Sequence, residues 1–584
     1  MSQIPSPPSY IDPKAHLVEL FRQAVARVAP GAGILPELER PKQATHGDYA
    51  CNAAMPLART LKRNPRELAT EIVAALPESE LVERTEIAGP GFINVFLRTA
   101  ARHALVGHIL ARGVDWGRTD LGQGEKIQVE FVSANPTGPL HVGHGRGAAY
   151  GASLANCLDF AGYAVSREYY VNDAGRQMDI LALSTWLRYL ELCGESTPFP
   201  VNAYQGDYVK IMAEGIYALH GERYKRAAAE VLAGAPDRDE APEEHLDYLI
   251  ATARRLLGPD YAYVHGYALE EQLGDGRNDL TEFGVTFDHW FSERSLHDAG
   301  LIDRAVEVLG KHGHLYEQDG ALWFRSTAFG DEKDRVVRRE NGIYTYFAAD
   351  IAYHLNKFER GFSRVIDVWG ADHHGYIARV KGALKAAGVD PDRLTVALVQ
   401  FAVLYRNGQK ASMSTRAGEY VTLRQLRKEV GNDACRFFYV LRKSDQHLDF
   451  DLDLAKSQSN ENPVYYIQYA HARVSSVLAQ WGGDPAELHD TDLAPLTHPQ
   501  EMALLNRLAE FPDTCAAAAR EMAPHLIAYY LRDLAAELHG LYVACQFLVE
   551  DEALRLARLA LIAATRQTLA NGLALLGVSA PDKM

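Results

Sequence analysis

Two histidines three positions apart, His141 and His144, stand where a strand-like segment gives way to a helix-like one. Residues 126–134, KIQVEFVSA, are β-rich, and residues 145–163 carry the small and apolar residues of a buried helix. A helix N-terminus presents free backbone N–H groups and a favourable dipole to an anion. Imidazoles at that point can donate hydrogen bonds to phosphates as charge builds in a transition state. The pattern therefore indicates nucleotidyl transfer.

The tetrapeptide HVGH has two other readings, a chance match and a metal site. Gly143, between the histidines, favours the nucleotide reading because it lets a flat base approach the backbone closely. A zinc site would need a third ligand, and the other pair, His373 and His374, follows a different predicted strand without cysteine partners. We therefore expect no zinc bound by the protein.

Composition bounds the class of protein. The 584 residues exceed what one hydrophobic core serves and predict several domains. The six cysteines are scattered, which argues against a disulfide framework. The first residues lack the pattern of a signal peptide, and no stretch has the roughly 18 uncharged apolar residues that a membrane-spanning helix needs. We expect a cytoplasmic protein without membrane contact.

The net charge of −16 weighs mildly against a nucleic-acid partner, although a local basic groove can coexist with an acidic remainder.

The order of patterns along the chain predicts three domains. Residues 1–112 alternate helix-like and strand-like segments and read as a small α+β unit. Residues 113–459 hold the strand, turn and helix around HVGH, an insertion at about 178–340, and further buried strands that resume the sheet. In the insertion, Asp319 followed by glycine favours a type I′ hairpin. Residues 460–584 are helical throughout and predict a bundle.

Several separate segments, in order, resemble one family. HVGH after a strand resembles the HIGH signature of class I aminoacyl-tRNA synthetases, and within that class the chain resembles arginyl-tRNA synthetases of the bacterial type nearly end to end. The segments that carry this resemblance are GDY (47–49), IAGPGFINVFL (87–97), VEFVSANPTGPLHVGH (129–144), YVNDAGRQ (170–177), YTYFAADIAYH (344–354), WGADHHGY (369–376), MSTRAG (413–418) and NPVYYIQYAHAR (462–473).

The resemblance implies a multidomain α/β protein with a Rossmann-like catalytic domain, an N-terminal domain that binds the D-loop of tRNA and a C-terminal α-helical bundle that binds the anticodon. It implies an arginine–tRNA ligase that uses ATP with Mg²⁺ and takes L-arginine and its tRNA as partners. We expect the protein to be a monomer. Arginine would be activated as an adenylate and then transferred to the 3′-terminal adenosine. In this family the first step characteristically needs the tRNA.

A guanidinium is planar and permanently charged, so its pocket needs a carboxylate and a placed acceptor. Tyr346 and Asp350, one helical turn apart, share a face, and the apolar neighbours of Asp350 make a lone solvated charge the weaker reading. Alternation in QVEFV leaves Glu130 either in the pocket or on a sheet face. The arginine-binding positions that the resemblance implies are Glu130, Ser133, Asn135, His144, Tyr346, Asp350 and Asp372.

The resemblance also implies an ATP site. WGADHHGY follows an apolar strand, where open α/β sheets bind ligands, so Gly370 and Asp372 are candidates for ribose or amino-acid contacts. His373 and His374 could equally be structural. The ATP-binding positions implied are Pro136, Thr137, Gly138, His141, Gly143, His144, Gly370, Asp372, Met413 and Ser414.

The second signature loop departs from the class pattern. The class has KMSKS, whose lysines neutralise the phosphates of ATP. Aligned on Met413 and Ser414, the two lysine positions hold Ser412 and Thr415. Both cations are therefore missing from a loop that we place at residues 410–418.

A substitute for the missing lysines must come from nearby. The position three before His141, a lysine in some relatives, is Gly138. The remaining cations are Lys410, Arg406 and Arg416, of which we assign Lys410 and Arg416 to catalysis beside the two signature histidines.

Contacts to tRNA are expected in both terminal domains. Tyr465, Tyr469 and Arg473 offer aromatic surface beside a cation, which is how unpaired bases are bound, although the same spacing also packs a helix core. Phe92 and Asn94 correspond to D-loop contacts by resemblance alone.

The sequence alone leaves other functions open. HVGH would also serve a synthetase for another amino acid, such as lysine, or a small cytidylyltransferase, which the long helical C-terminus disfavours. The absent signature lysines allow a noncatalytic tRNA-binding relative.

Overall fold

The computed structural model describes residues 10–41, 43–411 and 421–584. In the N-terminal unit, helices pack on an antiparallel sheet of order β1-β2-β4-β3, and the apolar strand FINVFL supplies much of the core. Its elements are α1 (Pro13–Val28), β1 (Leu38–Glu39), β2 (Tyr49–Cys51), α2 (Ala54–Leu61), α3 (Pro65–Ala75), β3 (Val82–Ala88), β4 (Phe92–Leu97) and α4 (Thr99–Arg112).

The second domain begins with a strand, a buried helix and a second strand. Gly151 explains why this helix carries small residues, since a Cβ there would lie 2.3 Å from the ring of Phe131. The elements are β5 (Lys126–Glu130), α5 (Val142–Phe160), β6 (Ala164–Val171) and α6 (Arg176–Leu192).

The next stretch is mainly helical and ends in a small antiparallel sheet of order β10-β9-β8. Asp319 and Gly320 both take positive φ, of 52° and 75°, as the predicted type I′ hairpin requires. The elements are α7 (Asp207–His220), α8 (Ala228–Leu232), α9 (Pro242–Leu257), α10 (Asp260–Glu282), β7 (His289–Ser292), α11 (Glu293–Asp298), α12 (Leu301–Lys311), β8 (Leu315–Gln318), β9 (Ala321–Phe324) and β10 (Arg335–Arg338).

The α/β pattern then resumes, and a second small sheet of order β14-β13-β15 follows the main one. The elements are α13 (Tyr346–Glu359), β11 (Arg364–Gly370), α14 (Ile377–Ala386), β12 (Leu394–Val399), β13 (Ala402–Arg406), β14 (Gln409–Lys410), α15 (Leu423–Val430), α16 (Asn432–Val440), β15 (Leu448–Asp451) and α17 (Leu452–Lys456).

The C-terminal part is a bundle of helices with an apolar interior that is continuous with the core around β5 and α5. Asn462 caps the first of these helices, and proline follows at its first position, a favoured start. The elements are α18 (Pro463–Trp481), α19 (Pro499–Ala509), α20 (Phe511–Arg520), α21 (His525–Ala544) and α22 (Glu552–Leu575).

The main sheet has five parallel strands in the order β12-β11-β5-β6-β7. In chain order this is the 3-2-1-4-5 arrangement of a doubly wound fold, and the direction of winding changes between β5 and β11. Such sheets bind ligands outside the carboxyl ends of their strands at that change of direction. A ligand site is therefore expected at the residues that follow β5 and β11.

One strand of this sheet differs from the prediction. β7 lies inside residues 178–340, which the sequence analysis assigned to an insertion, yet it pairs with β6 as the sheet's edge. Four residues are too few to show a clear alternation of apolar and polar positions, so the sequence pattern did not reveal this strand.

Candidate active site

The HVGH segment forms the turn between β5 and α5. His141 is the N-cap of α5, and its Nδ1 accepts a hydrogen bond from the Gly143 amide at 3.1 Å. The Nδ1 atom of His144 accepts from the His141 amide at 3.3 Å, and the two rings stack with centroids 3.6 Å apart. The imidazoles are thus fixed by the backbone that they cap.

Both imidazoles are neutral at physiological pH. Burial lowers the pKa of His141, and burial together with the neighbouring His141 lowers the pKa of His144 to about 3. Because each Nδ1 accepts a hydrogen bond, the proton of each neutral ring lies on Nε2. Each neutral ring therefore carries one N–H, on Nε2, and a role toward phosphate needs such a donor.

The chain leaves β5 through a constrained turn. Val132 and Ser133 both have positive φ, at 68° and 42°, which L-residues adopt at a cost and which clusters at functional sites. The Ser133 hydroxyl donates to Glu130 at 2.9 Å and accepts from the Tyr170 amide at 3.1 Å. Asn135, the next assigned position, is exposed and its side-chain oxygen lies 3.2 Å from the amide group of Asn172.

The loop between this turn and His141 is held by a residue that sequence reasoning missed. Tyr208 of α7 donates a hydrogen bond to the Thr137 carbonyl at 2.6 Å. A Cβ on Gly138 would lie 3.3 Å from the Tyr208 side chain, so Tyr208 occupies the side where another residue type would project. Pro136 precedes them and is buried. The distant sequence position of Tyr208 gave no signal of this contact.

An aromatic ring flanks Gly143. Phe401, between β12 and β13, is 54% exposed, and a Cβ built on Gly143 would lie 4.0 Å from its ring. A large exposed apolar ring beside a glycine suits contact with a flat base. Sequence reasoning did not single out Phe401, because it reads as one more apolar residue of a strand pair.

Glu130 lies in a buried charged cluster. The Lys357 ammonium of α13 is fully buried and lies 2.5 Å from the Glu130 carboxylate and 2.7 Å from that of Asp367. Burial opposes the charge of Lys357, but the two carboxylates outweigh it and raise the pKa of the ammonium. Glu130 and Asp367 are register partners on β5 and β11, so Lys357 joins the two strands at the change of winding. Glu130 is therefore already paired with a cation.

Asp350 forms no such ion pair among the described residues, although the nearby charge of Lys357 acts on its carboxyl. It accepts a hydrogen bond from the Tyr376 hydroxyl, and burial raises the pKa of its carboxyl above the usual range. Tyr346, one turn earlier on α13, is 62% exposed and lies at the rim, where its hydroxyl would meet a Cβ on Gly175 at 3.5 Å. The structure thus places Asp350 inside the site and Tyr346 at its mouth.

Glu293 is the carboxylate that sequence reasoning missed. It directly follows β7, is 4% exposed, and shares with Tyr346 the lining of a cavity of about 450 Å³ beside α13. Burial, and secondly the charge of Asp350, raises the pKa of Glu293 to about 7. Among the described residues no cationic side chain forms an ion pair with Glu293 or Asp350. Glu293 and the half-buried Asp350 thus lie close together without a direct ion pair among the described residues, although Arg254, Arg294 and Arg339 also line the cavity beside Glu293.

At the carboxyl end of β11 the chain turns sharply. A Cβ on Gly370 would lie 2.4 Å from the Asp372 carboxylate, so a larger residue there would displace that side chain. The Asp372 side chain is 57% exposed, its carboxylate 3.5 Å from His373, and His374 is exposed as well. The Asp372 carboxylate is therefore accessible to a ligand, either to a ribose or to an amino acid.

Of the candidate cations of the signature loop, two lie within the described residues. Lys410 is exposed in β14. Arg406 is paired with Glu429 at 2.7 Å. The assignments to Met413, Ser414 and Arg416 lie outside the described residues.

The expected tRNA contacts differ in accessibility. Phe92 is half-buried at the start of β4, whereas Asn94 is buried at 5% exposure. In the bundle, Tyr465 and Tyr469 are half-buried and stack with centroids 6.0 Å apart. Arg473 lies 5.3 Å from the ring centroid of Tyr469.

Arg473 is at the centre of a larger cluster that the sequence did not reveal. Its guanidinium lies 3.6 Å from the ring centroid of Tyr542, and its Nη1 lies 3.2 Å from the His539 ring. Both partners come from α21, far along the chain. Stacked rings beside a guanidinium form a surface suited to unpaired bases.

Residues 10–41, 43–411 and 421–584 contain neither a cluster of metal ligands nor a membrane-spanning helix. No group of three or more His, Cys, Asp or Glu side chains there is arranged to hold a metal ion. No helix within those ranges is both long and apolar enough to cross a bilayer.

Three family models match the chain in sequence order. The arginyl tRNA synthetase N terminal domain matches residues 15–97, the class I (R) tRNA synthetase catalytic domain matches residues 105–230 and 280–448, and the DALR anticodon binding domain matches residues 467–584. Together with the doubly wound sheet and the HVGH turn, these matches define a class I aminoacyl-tRNA synthetase.

Relatives narrow the class to one family. The chain is 67% identical to an arginine–tRNA ligase of Azoarcus sp. (strain BH72) and 65% identical to one of Dechloromonas aromatica, over 98% of this chain and 100% of each relative. The arginyl-tRNA synthetase structure of Thermus thermophilus superposes with a TM-score of 0.74 at 25% identity, covering 98% of this chain and 100% of that one. The chain belongs to the arginyl-tRNA synthetase family.

The predicted family, fold class and function are thereby confirmed: the chain is an arginine–tRNA ligase of multidomain α/β architecture. A synthetase for another amino acid and a noncatalytic tRNA-binding relative are not supported. The substrates that follow from the family are arginine, ATP and tRNA.

Proposed function

We propose that Asp350 and Glu293 together bind the guanidinium of arginine. The observation that carries the proposal is that the Glu293 carboxylate is buried, the Asp350 carboxylate is half-buried, and neither forms an ion pair with a cation among the described residues. Burying charge without a partner is costly, and a planar fork of N–H donors satisfies two carboxylates at once. Glu130, held by Lys357, then supports the floor of the pocket instead of supplying its charge.

The reacting end of arginine lies toward the HVGH turn in this proposal. The arginine carboxylate attacks the α-phosphate of ATP, the bond to the β-phosphate breaks, and arginyl-adenylate and pyrophosphate result. The Nε2–H groups of His141 and His144 donate to the phosphate oxygens as negative charge builds on them. Ser133, Asn135 and Asp372 border the same edge of the sheet and contact the amino-acid backbone or the ribose.

ATP occupies the space between the loop at residues 136–138 and the HVGH turn. The adenine lies against Gly143 and the exposed ring of Phe401. Mg²⁺ enters with the nucleotide, bound mainly by phosphate oxygens, as is usual for this ion. Lys410 is our candidate for one cation that replaces the missing signature lysines.

In the second step, the terminal ribose hydroxyl of tRNA attacks the arginyl carbonyl and AMP leaves. We assign residues 1–112 to D-loop binding through Phe92 and Asn94, residues 113–459 to catalysis, and residues 460–584 to the anticodon through Tyr465, Tyr469 and Arg473. The enzyme acts as a cytoplasmic monomer in this account. The stacked rings beside Arg473 support the anticodon assignment.

Ligand-induced stabilisation tests the guanidinium site directly, since a ligand that binds only the folded state raises the melting temperature. Arginine is expected to raise the melting temperature of the parent chain, and lysine is not. Asp350→Asn is expected to abolish the arginine effect. An equal shift by arginine in the parent chain and in Asp350→Asn would reject the proposed pocket.

A further inference from the structure

The C-terminal half of α10 carries acidic residues that face the start of α15. Arg424 of α15 lies 2.5 Å from the Asp275 carboxylate and 2.8 Å from that of Asp279. Arg427, one turn later, donates to the Asp279 carbonyl at 2.7 Å and pairs with Glu282. The Asp279 side chain is only 1% exposed, so at least this part of the cluster is shielded from water. The contact is thus a partly buried network of charges between two helices.

The position of these arginines in α15 makes the acidic partners necessary. Thr422 caps the helix with Gln425 in a capping box, which places Arg424 in the first turn. Cations are unfavourable at the positive end of a helix dipole unless they are paired. Asp275 and Asp279 supply that pairing from α10.

The start of α15 is in turn joined to the HVGH turn by backbone hydrogen bonds. The Val142 amide donates to the Val421 carbonyl at 3.1 Å, and the Leu423 amide donates to the Leu140 carbonyl at 2.8 Å. His141 and Thr422 form the antiparallel bridge between these two bonds. Any displacement of the first turn of α15 therefore acts directly on the residue that carries a signature imidazole.

The acidic positions lie outside the part of the chain that the family's catalytic model matches. That match ends at residue 230 and resumes at residue 280, and Asp275 and Asp279 fall between. The network is therefore not explained by the shared pattern of the catalytic domain.

We propose that Asp275 and Asp279 are positioning residues for adenylate formation, acting through Arg424 and the backbone of residues 421–423 on His141. The proposal rests on the role given to the HVGH turn under the proposed function. Displacing a donor by about 1 Å from developing charge can cost about a hundredfold in rate, so a helix that holds the turn affects chemistry without touching ATP. Arginine binding, which depends on α13 and α11, is left unchanged.

Arg424→Met tests the proposal in the full-length chain because methionine keeps much of the aliphatic stem and removes both ion pairs. Arginine-dependent ATP–pyrophosphate exchange is measured with tRNA present. We expect kcat to fall by about 10- to 100-fold while the KM for arginine stays within about twofold. Arg424→Lys, which keeps the charge without the fork, is expected to give an intermediate rate.

The matched control is Arg223→Met, which removes the ion pair with Asp260 at the opposite end of α10, 2.9 Å in the parent. It is expected to exchange at the parent rate. If Arg424→Met also exchanges at the parent rate, or if both variants lose exchange equally and in step with their melting temperatures, the positioning role is overturned. Should Arg424→Met fail to fold, Asp275→Asn is judged by the same criteria, since that side chain is partly exposed.

His141→Ala separates this proposal from the one it rests on. If His141→Ala is slow and Arg424→Met is not, only the positioning role fails. If His141→Ala exchanges at the parent rate, the assignment of the HVGH turn itself is wrong.

Discussion

Asp350 of α13 and Glu293 at the start of α11 lie near enough for the charge of Asp350 to raise the pKa of Glu293. The two residues come from different helices, α11 and α13, so only the tertiary structure brings them together. Two like charges in a site shielded from water repel each other. This repulsion destabilises the free enzyme, and a bound cation relieves it. This relationship explains why an acidic pocket can be selective for a permanently charged side chain.

Arginine binding should depend on pH through Glu293. Its pKa is raised to about 7, so below that pH the free enzyme carries a protonated carboxyl that must lose its proton before it pairs with the guanidinium. We expect the KM for arginine to rise by up to about tenfold for each pH unit below 7 and to level off above it. Initial rates of exchange between pH 5.5 and 8.5 measure this. Glu293→Gln should have a higher KM that no longer varies with pH, and a parent profile as flat as that of the variant would disprove the role of Glu293.

The stability of the free enzyme should show the opposite consequence. Since the folded pKa of Glu293 lies above the unfolded value, its contribution to stability is fully present below about pH 4.3 and is lost as pH rises through 7. Glu293→Gln escapes that loss, so without arginine it should gain up to about 3 kcal/mol over the parent chain at pH 8 and little at pH 5. Thermal unfolding at the two pH values measures the difference. Glu332→Gln, at an exposed position, is the control.

His141→Ala and His144→Ala should each slow adenylate formation by one to three orders of magnitude, about 3 kcal/mol apiece in the transition state. Arginine and tRNA affinities should change little, because the donors act on charge that exists only during reaction. Rapid-quench kinetics distinguish the two effects. Weakened tRNA affinity with an unchanged chemical rate would contradict the assignment.

Arg473→Met should raise the KM for tRNA and leave those for arginine and ATP unchanged. The guanidinium lies beside Tyr469 and Tyr542, and stacking on such a surface contributes about 1 to 3 kcal/mol per base. An increase of about tenfold in the KM for tRNA is therefore expected. Arg532→Met removes a guanidinium near Tyr529 on the same bundle and serves as the control. Equal effects of the two substitutions would mean that the loss is one of general surface charge.

Local pattern was sufficient to predict the strands β5, β6, β11 and β12, because each is a short run that contains β-branched or aromatic residues and is bounded by turn residues. The HVGH turn was predictable for the same reason, since its chemistry lies within four consecutive residues. These parts of the site are local in sequence, and the doubly wound order then brings them to one edge.

The rest of the site is made by distant partners. Glu293 follows a strand too short to recognise, and Lys357 would be read as a solvated helix residue although it is fully buried. Glu130 was expected as a candidate for the pocket, but whether a carboxylate is free or already paired depends on a partner 227 positions away. Such pairing is a property of the tertiary structure alone.

Discrimination between arginine and citrulline tests the central claim most directly, because citrulline keeps the shape of arginine and lacks its charge. The measurement is the ratio of kcat/KM for the two amino acids in tRNA-dependent ATP–pyrophosphate exchange, in the parent chain and in Asp350→Asn. Removing one buried charge partner should cost arginine about 2 to 5 kcal/mol and citrulline much less, so the ratio should fall by at least about thirtyfold. An unchanged ratio, with both amino acids weakened alike, would show that Asp350 supports the fold and does not bind the guanidinium.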